Sequence, residues 1–242
     1  MRTYKDLKTD LHIHSISSGH AYSSIAEIVD GAKSKGLKTI AITDHGPAMP
    51  GGAHLYHFNN LRVVDSNQDG LRVLKGVEAN IIDAEGTLDI PDYTQEKLDL
   101  VLAAFHVRCG YEDYGAHVNT QTLIKALQNN RVHVIAHPGN PLFKLNYEKI
   151  AKVAKEMNIL IEFNNGSYLK GTSRSGGEEL DLEMALACRK YGTNVVITSD
   201  SHIASDIGNF EKAWDLVNKA GLSGEQILNL DNDRLLEFLK NR

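Results

Sequence analysis

The 242-residue chain holds two cysteines, five prolines and one tryptophan, and aromatic residues make up only 7% of it. Cys109 and Cys188 are far apart and form no Cys-x-x-Cys pair, so neither a disulfide framework nor a cysteine zinc clip is expected. Free thiols fit a reducing compartment. No run of about 18 apolar residues exists, which leaves nothing to span a membrane. The opening residues, Met1 to Asp6, are charged and lack the apolar core of a signal peptide, so the expected location is cytoplasmic. Positive charge is also in deficit. The formal net charge is -5 at pH 7, so bulk charge implies no basic face, and nucleic acid is not an expected partner. Linkers, low-complexity tracts and short-period repeats are absent. What is present is an ordinary globular composition, 42% hydrophobic and 24% charged, over a length that fits one α/β barrel or two small domains. The excess is in histidine, with eleven.

Seven apolar stretches read as strands: Leu7–His14, Lys38–Thr43, Leu71–Glu78, Leu100–Phe105, Val132–Ala136, Ile159–Phe163 and Asn194–Thr198. Between them lie helix signals. Ser24-Ile25-Ala26-Glu27 has the form of a capping box, opening a helix that runs to about Lys35 and stops at Gly36. A weakly patterned helix covers 59–65. Asn119 is expected to cap a helix to Asn129, and Asn146 one to Met157. Further helices follow at Glu179–Tyr191, Phe210–Ala220 and Asp231–Lys240. Several strands are nearly continuous apolar runs, as in parallel sheets buried on both faces. Such alternation predicts a barrel or a doubly wound sheet.

The polar residues decide between these. His12 and His14 stand two apart at the end of the first strand, where residues i and i+2 share a side. Asp44, His45, Glu78, His106, His137, Asn164, Asp200 and His202 fall at the C-terminal ends of the others. In a barrel those ends gather around one mouth, the place where barrel enzymes carry their chemistry. An open sheet would spread them along an edge. A closed or nearly closed (βα)7 barrel is therefore expected. Six strand-end histidines, His20 in the first loop, Glu78 and Asp200 make nine potential metal ligands. One zinc takes about four, so nine donors with a bridging carboxylate would serve two or three divalent ions. Without metal, the same cluster would be a costly set of desolvated, unpartnered groups.

Six segments carry a resemblance: Asp10-Leu11-His12-Ile13-His14, Thr43-Asp44-His45-Gly46-Pro47, Gly76-Val77-Glu78-Ala79-Asn80, Phe105-His106, His137-Pro138-Gly139-Asn140-Pro141 and Ser199-Asp200-Ser201-His202. Together and in this order they resemble the polymerase-and-histidinol-phosphatase (PHP) metallohydrolases, and the whole chain is similar to the YcdX-type bacterial phosphatases among them. That resemblance implies a single PHP domain over residues 1–242, a distorted (βα)7 TIM-like barrel, a three-metal site, phosphoester hydrolysis and a homotrimer. By position in the family pattern, His12, His14, Glu78 and Asp200 would hold one ion. Glu78 would bridge to a second, completed by His106 and His137, and His20, His45 and His202 would hold the third. Glu78 and Asp200 would thus be catalytic as well as ligating. Histidine-rich ligation suits zinc first, or manganese or iron, over magnesium or calcium. The expected reaction is hydrolysis of a small phosphomonoester by a hydroxide generated on the metals.

Other residues are read individually. Asp10 and Asp44 precede metal histidines and would orient an imidazole N–H. Arg174, in a glycine- and serine-rich loop after the sixth strand, is the candidate substrate-binding residue, because a phosphate dianion favours a bidentate guanidinium. His133 is expected in the core, His117 just ahead of a helix cap, and His54 and His57 in a loop over the mouth. Arg108 and Cys109 follow His106, and nothing requires them to face the mouth. Alternatives within the family are a histidinol-phosphate phosphatase and a phosphodiesterase or nuclease. A nuclease would want a basic groove with stacking aromatics. An amidohydrolase would need an eighth strand and a bridging modified lysine where Glu78 stands. A non-catalytic metal-stabilised module would lack ligands, and none of the nine is missing.

Overall fold

The seven apolar runs form one parallel sheet that curls nearly closed. The computed structural model describes residues 2–169 and 171–241. Among these the strands are β1 (Thr9–Ile13), β2 (Thr39–Ile42), β3 (Asn67–Gln68), β4 (Leu71–Asn80), β5 (Leu100–Ala104), β6 (Val134–Ile135), β7 (Leu160–Asn164) and β8 (Val195–Thr198). The helices are α1 (Ile25–Ser34), α2 (Leu55–Asn60), α3 (Asp92–Gln95), α4 (Ala116–Asn129), α5 (Tyr147–Glu156), α6 (Glu178–Tyr191), α7 (Glu211–Ala220) and α8 (Asn232–Lys240). Strands neighbour one another in the order β1-β2-β4-β5-β6-β7-β8, while β3 turns back antiparallel on the start of β4. β4 pairs with β2 through Arg72–Lys75 and with β5 through Gly76–Asn80, so the sheet steps along β4 as it turns. Such a stagger is what closing a sheet into a barrel requires.

Closure between β1 and β8 is uneven. At the C-terminal end the two meet directly: Ile13 bridges to Ser201, and the His14 N–H donates to the Ser201 carbonyl at 2.9 Å. At the other end the Asn229 side chain fills the seam. Its amide donates to the carbonyls of Thr9 (3.1 Å) and Ile197 (2.6 Å) and accepts from the Ile197 N–H (3.2 Å). One side-chain amide thus stands in for the peptide of a missing strand, and this is the distortion of the barrel.

The two faces of the strands pack into separate cores. Ile40, Val73, Val77, Val101, Ile135, Ile161, Val195 and Ile197 lie under the helices, against Ile28 and Ala32 of α1, Leu123 and Leu127 of α4, Ile150 of α5 and Val217 of α7. Leu11, Ala41, Leu74, Leu102, Val134, Leu160 and Val196 form the barrel interior, sealed by Leu228 and by Leu235 and Leu239 of α8. The second cluster gives the amphipathic α8 its place: the apolar side of the helix plugs the N-terminal end of the barrel.

Caps behave as their chemistry requires. Ser24 and Glu27 form the reciprocal capping box, and Asn146 accepts from the Lys149 N–H at 3.0 Å. Two helix starts differ from expectation. α4 opens at Ala116 after Gly115, so Asn119 lies inside it. Its side chain is buried, accepts from Tyr111 Oη (2.9 Å) and donates to Asp113 (2.6 Å) and the Lys144 carbonyl (3.0 Å), tying loops together rather than ending a helix. α2 begins at Leu55, not Asn59, because the His54 imidazole accepts from the Tyr56 N–H (3.1 Å) and caps it.

Candidate functional site

Strand alternation carries the inner face from aliphatic to polar. Leu74 is followed at even steps by Glu78 and Asn80, Leu102 by Ala104 and His106, Leu160 by Glu162 and Asn164, and Val196 by Thr198 and Asp200. β1 needs a device to join them. Its pairing with β2 takes three steps from Asp10 to Ile13 against two from Ile40 to Ile42. This extra residue puts Leu11 in the barrel interior and Ile13 under the helices, and lets His12 and His14 face the mouth together. Their ring centroids stand 5.0 Å apart.

Glu78 is the centre of the cluster. Its Oε1 lies 2.7 Å from His137 Nε2 and 3.3 Å from His106 Nε2. Its Oε2 lies 2.7 Å from His45 Nδ1, 3.3 Å from His12 Nε2 and 3.5 Å from His14 Nε2. Asp200 Oδ1 lies 3.0 Å from His14 Nε2 and 3.6 Å from both His12 Nε2 and His202 Nδ1. The His20 ring stands on the rim, 4.9 Å from those of His45 and His202. All nine residues therefore converge. Donor atoms fall within 4.8 Å of one another in three sets: His12/His14/Asp200, His14/His45/His202 and His45/Glu78/His106. These sets share His14 and His45, whereas the family pattern gives each imidazole to one ion. His137 and Asp200 have φ of 30° and 54°, a left-handed backbone that strand-end turns impose on them and that non-glycine residues adopt at a cost.

Each donor is held from behind. His12 Nδ1 donates to Glu162 Oε1 at 2.6 Å, and the His137 N–H donates to Glu162 Oε2 at 2.7 Å. Thr198 Oγ1 (2.7 Å) and Asn164 Nδ2 (3.1 Å) also donate to Glu162, and Asn164 reaches Asp200 Oδ2 at 3.1 Å. Glu162 thus ties two candidate ligands directly, His12 and His137, and a third, Asp200, through Asn164. His106 Nδ1 donates to Asn80 Oδ1 (2.8 Å), and Asn80 Nδ2 donates to Asp89 (2.6 Å). His14 Nδ1 donates to Ser18 Oγ (3.1 Å), which donates to Asp44 (2.7 Å). Asp44 is therefore placed as expected, orienting an imidazole through a serine, and His57 reaches its other oxygen at 2.8 Å. Asp10 does not touch an imidazole. It accepts from the Ser199 (3.1 Å) and Gly208 (3.0 Å) N–H groups and holds the turn bearing Asp200. Two motif glycines make room for buried carboxylates: a Cβ at Gly46 would stand 2.3 Å from Asp89 Oδ1, and one at Gly139 2.1 Å from Asp181 Oδ1. Glu162, Asp89 and Asp181 were missed in reading the chain. Glu162 carried a signal, a lone carboxylate inside an apolar run; Asp89 and Asp181 had none.

The electrostatics favour cations. Burial would raise Glu78, but His106, His12 and His45 outweigh it and hold its carboxyl well below the ordinary range. Asp200 is likewise held well down, against burial, by His12 and Arg174. Burial opposes charge on His12, yet Glu162, Glu78 and Asp200 raise it well above an ordinary imidazole. His14 is driven down to about 3 by burial and by His45. The pocket thus asks for positive charge at the carboxylates while keeping an imidazole neutral. Buried side-chain atoms without a hydrogen-bond partner include His12 Nε2, His14 Nε2, His45 Nδ1, His106 Nε2, Glu78 Oε2 and Asp200 Oδ1. Leaving so many unmade is expensive, and these six sit together in the cluster. Imidazole nitrogens and carboxylate oxygens are the donor types that hold zinc, manganese or iron, so the residues fit divalent metal.

Above the donors is a mouth of about 480 Å³. Arg174 lines it, donating from Nε to Ser167 Oγ (2.9 Å) and from Nη2 to Asp200 Oδ2. The guanidinium thus reaches the mouth from within the chain. Burial would lower its proton affinity, but Asp200 and Glu78 raise it. His54, His57 and Arg108 are not among the lining side chains. His133 is buried in the barrel wall, as expected, with Nδ1 accepting from the Val101 N–H at 3.1 Å.

Comparison with known proteins now decides the family. A family model described as "PHP domain" matches residues 10–169. The chain belongs to the PHP family. Among curated relatives, a Clostridium botulinum (strain Okra / Type B1) protein is 45% identical over 233 residues, 96% of this chain and 94% of its own length, and is named "Probable phosphatase". A Thermoanaerobacter sp. (strain X514) protein is 42% identical over 236 residues, 98% of this chain and 96% of its own, with the same designation. Among solved structures, the histidinol phosphate phosphatase of Lactococcus lactis, solved with zinc, L-histidinol and phosphate, aligns with a TM-score of 0.63. It is 17% identical and covers 90% of this chain and 95% of its own, which supports the PHP barrel fold. No helix among the described residues is long and apolar enough to cross a membrane.

Proposed function

We propose that this PHP protein is a metal-dependent phosphatase of small phosphomonoesters, acting through residues 1–242 as one domain. One observation carries it: six buried donor atoms of His12, His14, His45, Glu78, His106 and Asp200 converge with no hydrogen-bond partner. Full-length likeness to relatives named as phosphatases supports the reaction class. His12, His14, His20, His45, Glu78, His106, His137, Asp200 and His202 would hold three divalent ions, zinc first. Such ions would supply charge neutralisation on the phosphate oxygens and lower the pKa of water toward about 7. Hydrolysis adds water across the ester P–O bond, the hydroxyl going to phosphorus and the proton to the departing alcohol.

The chain's own residues do the positioning. Glu78 and Asp200 gather the donors, Glu162 orients His12, and Arg174 offers its guanidinium to the phosphate on exchanging its contact with Asp200. A cytoplasmic homotrimer belongs to the same reading, with nucleic acid not a substrate given the net charge of -5. A histidinol-phosphate phosphatase is the second reading, motivated by the ligand of the Lactococcus structure.

The test is metal content of protein purified without chelator, together with hydrolysis of an aryl phosphate, for wild type and Arg174→Ala. The expectation is bound divalent metal, turnover, and a Michaelis constant raised about tenfold in the variant with metal unchanged, as for a lost binding contact. Metal-loaded protein that cleaves no phosphomonoester, histidinol phosphate included, would overturn the reading.

A further inference from the structure

The floor of the mouth is polar, whereas its rim mixes polar residues with a set of aliphatic side chains. Met49 from the loop after β2, Val107 after β5, Leu142 after β6 and Leu169 after β7 all line the cavity. Val107, Leu142 and Leu169 are 52%, 45% and 37% exposed. Other exposed apolar side chains are not among the residues lining the cavity, and single ones need no explanation. Aliphatic side chains drawn from four separate loops to one concavity do, because such a gathering marks a binding surface. Charge is sparse there. Apart from the nine donor residues, Arg174 and Asp206 are the charged groups among the described residues of the lining, and Arg174 is already engaged by Asp200. Among the described residues the rim therefore offers no set of cations for a second phosphate or a polynucleotide backbone.

We infer that the substrate's leaving group is apolar, an alkyl or aryl alcohol, and that Met49, Val107, Leu142 and Leu169 set this specificity. The physical reason is the shape of the cavity: Arg174 and the donors lie at its floor and the aliphatic side chains at its opening, so a phosphate held below would leave its ester substituent among Met49, Val107, Leu142 and Leu169, exchanging water for aliphatic carbon. The inference rests on the phosphatase reading for turnover but not for binding.

The experiment uses zinc-loaded protein and n-alkylphosphonates from ethyl to hexyl, which bind as phosphate monoesters do but cannot be hydrolysed. Binding is read by calorimetry. The dissociation constant should fall about two- to fourfold per added methylene, the upper figure corresponding to ~0.8 kcal/mol per buried CH₂. In Val107→Ser/Leu142→Ser that dependence should shrink to less than half. Both positions are exposed, so the fold is not at risk. A flat series in wild type, an unchanged slope in the variant, or glycerol phosphate or a nucleoside diphosphate binding more tightly than hexylphosphonate overturns the inference. The matching alkyl phosphates are then assayed for turnover. A sloped phosphonate series with no ester cleaved leaves the specificity surface standing and removes the phosphatase reading; cleavage without any slope removes the inference alone.

Discussion

The two ends of the barrel are built from the same strand faces and use them in opposite ways. At the N-terminal end the inward rows begin with Leu74, Leu102, Leu160 and Val196, closed by Leu235 and Leu239 of α8. Packing there is aliphatic, and the seam is hydrogen-bonded through Asn229. Two to four residues further along, the rows end in Glu78, His106, Glu162, Asn164 and Asp200. Here six buried side-chain atoms of one cluster lack hydrogen-bond partners. One end stabilises the fold and the other draws on that stability, since unsatisfied buried groups persist only where the surroundings over-determine them. Period two lets a single strand serve both.

The sharpest way to break this contrast is to change one residue at each end. Glu78 stands within 3.5 Å of five imidazoles. Glu78→Gln should lose more than one metal equivalent by elemental analysis and lower turnover by about 10³ or more, the scale of losing a preorganised electrostatic contact. Retained metal and turnover would remove its bridging role. Leu235→Ala, at the plugged end, should cost about 2–5 kcal/mol in denaturant unfolding. Its metal content and Michaelis constant should match wild type; loss of metal would show that the two ends are not independent.

Glu162→Gln sharpens the boundary between them. Glu162 is fully buried in β7 but reaches ligands on both sides. Metal affinity should fall about 10- to 100-fold, the usual effect of losing a ligand-orienting partner, with the circular dichroism spectrum unchanged. Unaltered affinity would make Glu162 a packing residue only.

The smallest effect concerns Asp181, which packs against Gly139 below the mouth and accepts from Tyr168 Oη at 2.8 Å. Burial pushes its carboxyl up to about 7 from an ordinary 3.8. A raised acid favours the folded state below the unfolded pKa, and that contribution is lost as pH rises through about 7. Stability of wild type relative to Asp181→Asn should therefore decline between about pH 4 and pH 7, by at most about 1.4 kcal/mol per unit. A constant difference across that window would show that the carboxyl ionises normally in the fold.

Much of this was legible along the chain because it is local. Apolar runs, a serine–glutamate capping box and the Asn146 cap depend on near neighbours; the caps formed where expected, and so did the strands, although the Val132–Ala136 run is a strand only at Val134–Ile135. Histidines and carboxylates at strand ends were legible for the same reason: a strand end is visible in sequence, and a barrel brings all such ends together. Asn119 misled because asparagine caps and asparagine tethers share one chemistry, and what decides between them is whether partners such as Tyr111 and Lys144 are in reach.

By itself, then, the order of residues pointed to the seven strands, the barrel and the nine candidate donors, since each was read from periodicity, strand-end placement or a short motif. Only the tertiary structure decided how those donors group. An extra residue in β1 rotates His12 and His14 into phase with strands far away in sequence. Glu162 meets His12 across 150 positions, and Asn229 closes a seam between Thr9 and Ile197. The reason is physical. A hydrogen bond or an ion pair is fixed by where two atoms come to rest, and for partners on distant strands that place is set by the curl of the whole sheet, which no local stretch encodes.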